Sequence, residues 1–270
     1  MIRKCDKLDE STVLSYIGDN YSSCLYLYLD LKKYGIESND IDVYIHTIDD
    51  SIKAVMLKYY SCIHIYSSDD SFDAVELGQF IDYNHFSMVY CKANTASLIF
   101  ESLPKKLKGL SSISKGWVAQ INNVDKESKG MAKIALDSDF KQIVQLIYED
   151  EDIGRSYKYD DLAKQLKERN HSGFTRNIVI KDGELVIAHV CTNAEMDNLA
   201  VVAELLVHKD YRRKGYASEI MRDICSCLLN ENKEVYSFYY SSESRALHKK
   251  IGFSEICEWG KIVIHNESFM

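Results

Sequence analysis

The chain has 270 residues, of which 46% are hydrophobic and 27% charged, and its formal net charge is −8. That length suits two domains, and the apolar fraction is enough to fill a core in each. The acidic balance argues against a nucleic-acid binder, which presents a basic face, and leaves room for a cationic substrate.

Met1-Ile2-Arg3-Lys4-Cys5-Asp6 has no apolar stretch of a signal peptide. No run of about 18 apolar residues marks a membrane span, so the expected compartment is the cytoplasm. Ser11–Leu31 is expected to be helical with a break near Asp19-Asn20. Asp42–His46, Ile52–Tyr59 and Cys62–Tyr66 are β-branched and aromatic runs separated by turn residues, which predicts strands. Phe72–Ile81 is expected as a helix, His85–Cys91 as a strand and Ala93–Leu103 as a helix. Pro104, the lysines after it, Ser111-Ser112-Ile113-Ser114 and the polar stretch Asn122–Gly130 read as loop and linker. A boundary near 123–130 therefore divides the chain into domains 1–125 and 131–270.

In the second domain Met131–Leu136 alternates like a strand, and Asp139 stands where it could cap a helix running to Tyr148. Asp160–Arg169 is a charged helix. Asn177–Lys181 and Glu184–Thr192 flank Asp182-Gly183, a hairpin signal. Leu199–Val207 is an apolar strand carrying one charge, Glu204. Gly215–Asn230 has helical periodicity, with Ile220, Ile224, Cys227 and Leu228 able to share a face. Val235–Tyr240 is a strand, Glu243–Ile251 a helix, and Phe253–Glu258 and Lys261–His265 two closing strands. The eight cysteines form no CxxC pair and no zinc spacing, which predicts reduced thiols and no metal.

The stretch from Ala203 to Ala217 carries the chemistry. A buried strand runs into His208-Lys209-Asp210-Tyr211 and then Arg212-Arg213-Lys214-Gly215-Tyr216-Ala217, which opens a helix. Free amides at a helix N-terminus, backed by the helix dipole, attract an anion. Gly215 and Ala217 let a phosphate reach the backbone, and the three basic side chains add charge there. The pattern reads as a pyrophosphate cradle; it is neither a P-loop nor a Rossmann loop.

Arg212-x-x-Gly215-x-Ala217 closely resembles the Arg/Gln-x-x-Gly-x-Gly/Ala coenzyme-A signature of the GNAT superfamily. Ala246-Leu247-His248-Lys249-Lys250-Ile251-Gly252-Phe253 resembles that family's second signature, Ala-Leu-Tyr-x-x-x-Gly-Phe. The resemblance covers roughly 131–270. It implies an α/β (α+β) GNAT fold, a mixed central sheet flanked by helices, with coenzyme A lying where Leu199–Val207 and Val235–Tyr240 splay apart. The element order before residue 131 resembles a degenerate GNAT-like half without the cofactor signature. The implied activity is acetyl-CoA-dependent N-acetyl transfer to a primary amine of a small molecule or peptide, by direct attack in a ternary complex. The alternative is a non-catalytic acyl-CoA-binding sensor. Neither a nucleic acid nor a membrane is expected as partner, and a homodimer is left open.

The residues implied for the cofactor are Leu206, Val207, His208, Arg212, Arg213, Lys214, Gly215, Tyr216, Ala217, Ser218, Ser242 and Arg245. Two residues are candidates for catalysis. Glu204 is either a general base of raised pKa or a structurally paired carboxylate. His248 stands where the family often has a tyrosine that protonates the departing thiolate; it either donates that proton or packs nearby. The acidic run Glu149-Asp150-Glu151-Asp152, and Glu195 with Asp197, are weighed as attractants for an amine against plain solvated loops.

Overall fold

The computed structural model describes residues 1–150 and 159–265, without the side chain of Asp161. In chain order the elements are β1 (Ile2–Lys4), α1 (Glu10–Ile17), α2 (Leu25–Tyr34), β2 (Ile41–Ile48), β3 (Ser51–Tyr59), β4 (Cys62–Tyr66), α3 (Ala74–Tyr83), β5 (Met88–Lys92), α4 (Ala93–Ser102), α5 (Lys105–Gly109) and β6 (Ser111–Ile121). There follow β7 (Lys133–Ile134), α6 (Phe140–Tyr148), α7 (Tyr159–His171), β8 (Asn177–Asp182), β9 (Leu185–Glu195), β10 (Leu199–Val207), α8 (Tyr216–Asn230), β11 (Glu234–Tyr239), α9 (Ser242–Ile251) and β12 (Ser254–Ile264).

The chain forms two compact units: Met1–Val118 with Ile256–Met270, and Ala119–Glu255. In the first, the strand order is β1-β2-β3-β4-β5-β12. Only the β4–β5 pair within that series is parallel, and α3 crosses between its strands. Strand alternation sends neighbouring residues to opposite faces. Met56, Ile63 and Ile65 thus pack with Leu77 and Ile81 of α3 and Ile99 of α4. Val55 and Leu57 pack with Val13 and Ile17 of α1 and Leu27 and Leu31 of α2. Helices therefore cover both faces. The break expected near Asp19-Asn20 is the 3₁₀ stretch Gly18–Ser23 between α1 and α2.

The second unit repeats that plan, with strand order β11-β10-β9-β8-β7. The β10–β11 pair is parallel with α8 crossing between, and the remaining pairs are antiparallel. Helix α6 buries Phe140, Ile143, Val144 and Ile147 against Leu162 and Leu166 of α7 and Val179, Val186 and Leu206 of the sheet. Helix α8 buries Ile220, Met221, Ile224, Cys225 and Leu228, an i, i+4, i+8 face.

Four expectations are corrected. Ser111–Ser114, read as loop, opens the eleven-residue strand β6, whose serines stand at exposed or partly buried positions. The strand expected over Met131–Leu136 is reduced to the pair Lys133–Ile134. Asp139 makes no side-chain cap for α6; its carboxylate accepts from the Leu136 amide at 2.9 Å and pairs with Lys181 at 2.8 Å. The two closing strands are one, β12, because Gly260 is not a break. A Cβ at Gly260 would stand 2.4 Å from Ala96 Cβ, so glycine lets α4 lie against the strand.

The compact units have bounds of their own beside the expected domains 1–125 and 131–270. The polar segment at 123–130 is tied into the second unit. Arg222, 2% exposed, binds Asp125 through Nε at 2.6 Å and Nη2 at 3.0 Å, and the Asp125 amide donates to Ile251 O at 2.7 Å. The Lys129 amide donates to Glu219 and the Ala132 amide to Asp223 at 2.8 Å, both on α8. The chain's last strand meanwhile pairs with β5 of the first unit, Trp259 opposite Lys92 through Val263 opposite Met88.

Gly252 of the second signature has a local physical cause. Its φ is +122°, and a Cβ there would stand 2.5 Å from Asn123 O. Gly252→Ala combines left-handed strain with a backbone clash, and is expected to cost about 2–4 kcal/mol of stability. Urea unfolding of the variant measures this; an unchanged midpoint contradicts it.

Candidate functional site

A cavity of about 520 Å³ lies in the second unit. Its walls are the end of β10 (Leu205, Leu206, Val207), the loop residues Tyr211, Arg212, Arg213 and Gly215, and the first turn of α8 (Tyr216, Ala217, Ser218), with Asp150 and Lys250. The parallel β10–β11 ladder ends at the Val202–Ser237 pair. From Ala203 onward, the side of β10 that faced β11 has no strand partner among the described residues, which opens the sheet where the cavity's floor begins.

The loop is held by its own side chains. His208 Nδ1 accepts from the Asp210 amide at 3.4 Å, and the Tyr211 hydroxyl donates to Asp182 at 2.7 Å. Arg212 Nε donates to Val207 O at 3.1 Å, and Lys214 Nζ to Asp210 O at 2.9 Å while lying 4.8 Å from the Tyr211 ring centre. Arg213 (φ +61°) and Gly215 (φ +92°) are both left-handed and turn the chain into α8. Gly215 takes the N-cap position and provides no side-chain cap. Among the described residues, none of the amides from Arg213 to Ser218 finds an acceptor; the first bond of the helix is Glu219 N to Gly215 O at 3.1 Å. Unsatisfied amides, a helix dipole, open space at Gly215 and two arginines make this an anion cradle.

The first unit has the same parallel pair, β4–β5 with α3, but its loop is acidic and self-satisfied. Asp73 caps α3, its Oδ1 accepting from the amides of Val75 at 2.9 Å and Glu76 at 3.0 Å. The Asp70 carboxylate accepts from Asn94 Nδ2 at 2.7 Å and Thr95 Oγ1 at 2.5 Å at the start of α4, joining the loop to that helix. The amides that would meet a phosphate there already hold a carboxylate.

Of the residues expected to bind a cofactor, Leu206, Val207, Arg212, Arg213, Gly215, Tyr216, Ala217 and Ser218 line the cavity. His208 and Lys214 shape the loop but are not among its walls, and neither are Ser242 and Arg245 of α9. Arg245 is engaged by Glu255 through Nε at 2.5 Å and Nη2 at 2.8 Å. Arg245, Tyr239 and Lys249 together hold the Glu255 carboxyl down at about 2. Leu205 and Lys250 are walls that the sequence signatures did not point to.

Glu204 stands in a bulge. Between Ala203 opposite Cys191 and Leu206 opposite His189, β10 has one residue more than β9, and Glu204 takes φ +54°. Its carboxylate does not line the cavity; Cys191 Sγ donates to Oε2 at 3.5 Å. Burial raises the Glu204 pKa, partly opposed by the charge of Arg169 and the Cys191 bond.

His248 is 3% exposed and lies between the rings of Tyr239 (4.5 Å) and Phe253 (5.0 Å). Its Nδ1 donates to Ser244 O at 2.7 Å, and its Nε2 is 2.9 Å from the Ser237 hydroxyl. Burial lowers its pKa, so the ring is neutral and both nitrogens are engaged internally.

The other acids are mixed. Asp150 is a cavity wall, Glu149 accepts from Gln145 at 2.5 Å, and Glu151 and Asp152 lie outside the described residues. Glu195 is held by Arg176 at 2.6 Å and Lys233 at 3.5 Å, a structural cluster. The cysteines are free thiols, no metal-ligand group occurs among the described residues, and no helix among them is long and apolar enough to cross a membrane.

The sequence model of the Acetyltransferase (GNAT) family matches residues 139–253. No curated protein matches the chain. Solved structures resemble it over nearly its whole length. An acetyltransferase of the GNAT family from Colwellia psychrerythraea is 10% identical, covering 98% of this chain and 99% of that one, with a TM-score of 0.62. A GCN5-related N-acetyltransferase from Sphaerobacter thermophilus is 12% identical, with coverages of 97% and 94% and a TM-score of 0.63. A tandem GNAT protein from the clavulanic acid biosynthesis pathway is 8% identical, covers 98% of each chain and has a TM-score of 0.55. At these identities the likeness is one of fold, and it extends over both units.

Proposed function

We infer, from the GNAT-family acetyltransferase domain that residues 139–253 form, that the chain is an acetyl-CoA-dependent N-acetyltransferase acting on a primary amine. The observation that carries this reading is the cradle: unsatisfied amides from Arg213 to Ser218 around a left-handed Gly215, beside the opened end of β10. These residues fit a diphosphate, with Arg212 and Arg213 adding charge and the backbone of Leu206–His208 lying where an extended arm would run.

Acetyl-CoA, when bound, supplies a thioester carbonyl open to attack. The chain's part is to hold both reactants side by side and to offer a backbone amide near Leu206–Val207 to the carbonyl oxygen. Glu204 is the base in this reading. Its carboxylate of raised pKa, set behind the cavity wall, takes a proton from the incoming ammonium through water and leaves a neutral amine. The thiolate's proton then comes from solvent, since neither ring nitrogen of His248 is left to give one.

That engagement of His248 also favours a second reading, a sensor that binds acyl-CoA without turning it over. A single experiment separates the two. Calorimetry with acetyl-CoA is expected to give one site per chain, because Asp73 and Asp70 fill the counterpart loop of the first unit. Thiol release is then followed across a panel of small amines and peptides. One bound cofactor with amine-dependent release supports the enzyme, and binding without release supports the sensor. Two equivalent sites contradict the role given to the first unit's aspartates.

A further inference from the structure

The cavity's cations are not equivalent. Arg212 and Lys214 are each bound to a backbone carbonyl of their own loop, at 3.1 and 2.9 Å. On α9, Arg245 and Lys249 both converge on Glu255, Lys249 at 3.4 Å. Lys250, the next residue, lines the cavity, and among the described residues no carboxylate pairs with it. Arg213 is likewise a wall without an acidic partner among the described residues. The cavity, which also has Asp150 as a wall, is thus faced by two cations that form no ion pair among the described residues, one from the cradle loop and one from a different helix.

A diphosphate seated on the amides of Arg213–Ser218 uses the loop's own charge. It gives no reason for a second cation to be held on α9, while the neighbouring Arg245 and Lys249 are neutralised. An ammonium on a flexible stem suits a compact phosphate monoester, to which it presents a point charge. Resting on the acetyl-CoA reading above, we propose that Lys250 is a further cofactor-binding residue. It receives the phosphate monoester on the ribose of coenzyme A, and makes the site select coenzyme A over the same molecule without that phosphate.

The exposed position of Lys250 means that its removal leaves the core intact, and circular dichroism verifies the fold of each variant. Titration calorimetry is run with coenzyme A and with dephospho-coenzyme A on the wild type, Lys250→Ala and Lys250→Arg. The wild type is expected to prefer coenzyme A by about tenfold, the scale of one charge-assisted contact at a solvated site. Lys250→Ala should lose that preference by weakening coenzyme A alone, and Lys250→Arg should retain most of it. The preference should also shrink as salt is raised from 0.05 to about 0.5 M, because a solvated pair is screened. Equal weakening of both ligands by Lys250→Ala, or none, overturns the assignment and leaves the cradle standing. A wild type that binds neither ligand overturns the acetyl-CoA reading itself, and this inference with it.

Discussion

Gly215→Glu is expected to reduce acetyl-CoA affinity by more than about 100-fold, or 2.7 kcal/mol. Two effects combine. At φ +92° any side chain is strained, which disturbs the turn presenting the amides of Tyr216, Ala217 and Ser218. The new carboxylate stands beside a cradle made for anions, where it caps the free amides and repels a phosphate, as Asp73 does naturally in the first unit. Gly215→Ala separates the two: no heavy atom lies within 4 Å of the added Cβ, so only the strain remains, and a loss of a few fold is expected. Calorimetry with acetyl-CoA reads both variants. Wild-type affinity in the Glu variant would show that the anion binds elsewhere.

Glu204→Gln is expected to lower turnover by about 10²–10⁴-fold at neutral pH while leaving acetyl-CoA affinity almost unchanged. The deficit should shrink at alkaline pH, where the amine arrives deprotonated and needs no base. The same substitution has an opposite expected effect on stability. Burial raises the Glu204 pKa, so the folded state binds its proton more tightly than the unfolded chain does. The stability this group contributes is present below the ordinary carboxylate range and is lost as pH rises through the raised folded value. Glutamine keeps the shape, still accepts from Cys191 and carries no charge, so the variant should melt no lower than wild type at pH 7 and show a flatter dependence of Tm on pH above the ordinary carboxylate range. A less active, equally or more stable enzyme is the signature of a base held at some cost to the fold. Undiminished turnover would remove Glu204 from the chemistry, and a large drop in Tm would make it a structural residue.

Much of the second unit is legible locally. Leu199–Val207 is an apolar run ended by a polar loop, and the strand occupies those residues. The two glycines of the signatures are explained by left-handed φ at Gly215 and by left-handed φ with a backbone approach at Gly252. Such features lie in single residues or short periods, which a sequence displays directly. The serines of β6 misled because a strand with partly solvated positions tolerates the residues that loops favour. Gly260 misled for a different reason: its small size answers to Ala96, distant in sequence and adjacent in space.

The sequence by itself determined the alternation of strands and helices, the basic Gly-x-Ala turn and the isolated charge at Glu204, because propensity, period and turn chemistry act over a few residues. Only the tertiary structure decided three other matters. It assigned the last strand to the first unit, through pairing with β5. It enclosed both nitrogens of His248 between Ser237 and Ser244, and tied Arg245 to Glu255. And it left Lys250, among three cations within one helix, facing the cavity with no ion pair among the described residues. In each case the deciding partner is remote along the chain or set by which face of a helix meets which strand, and burial and pairing at such distances are properties of the packed molecule.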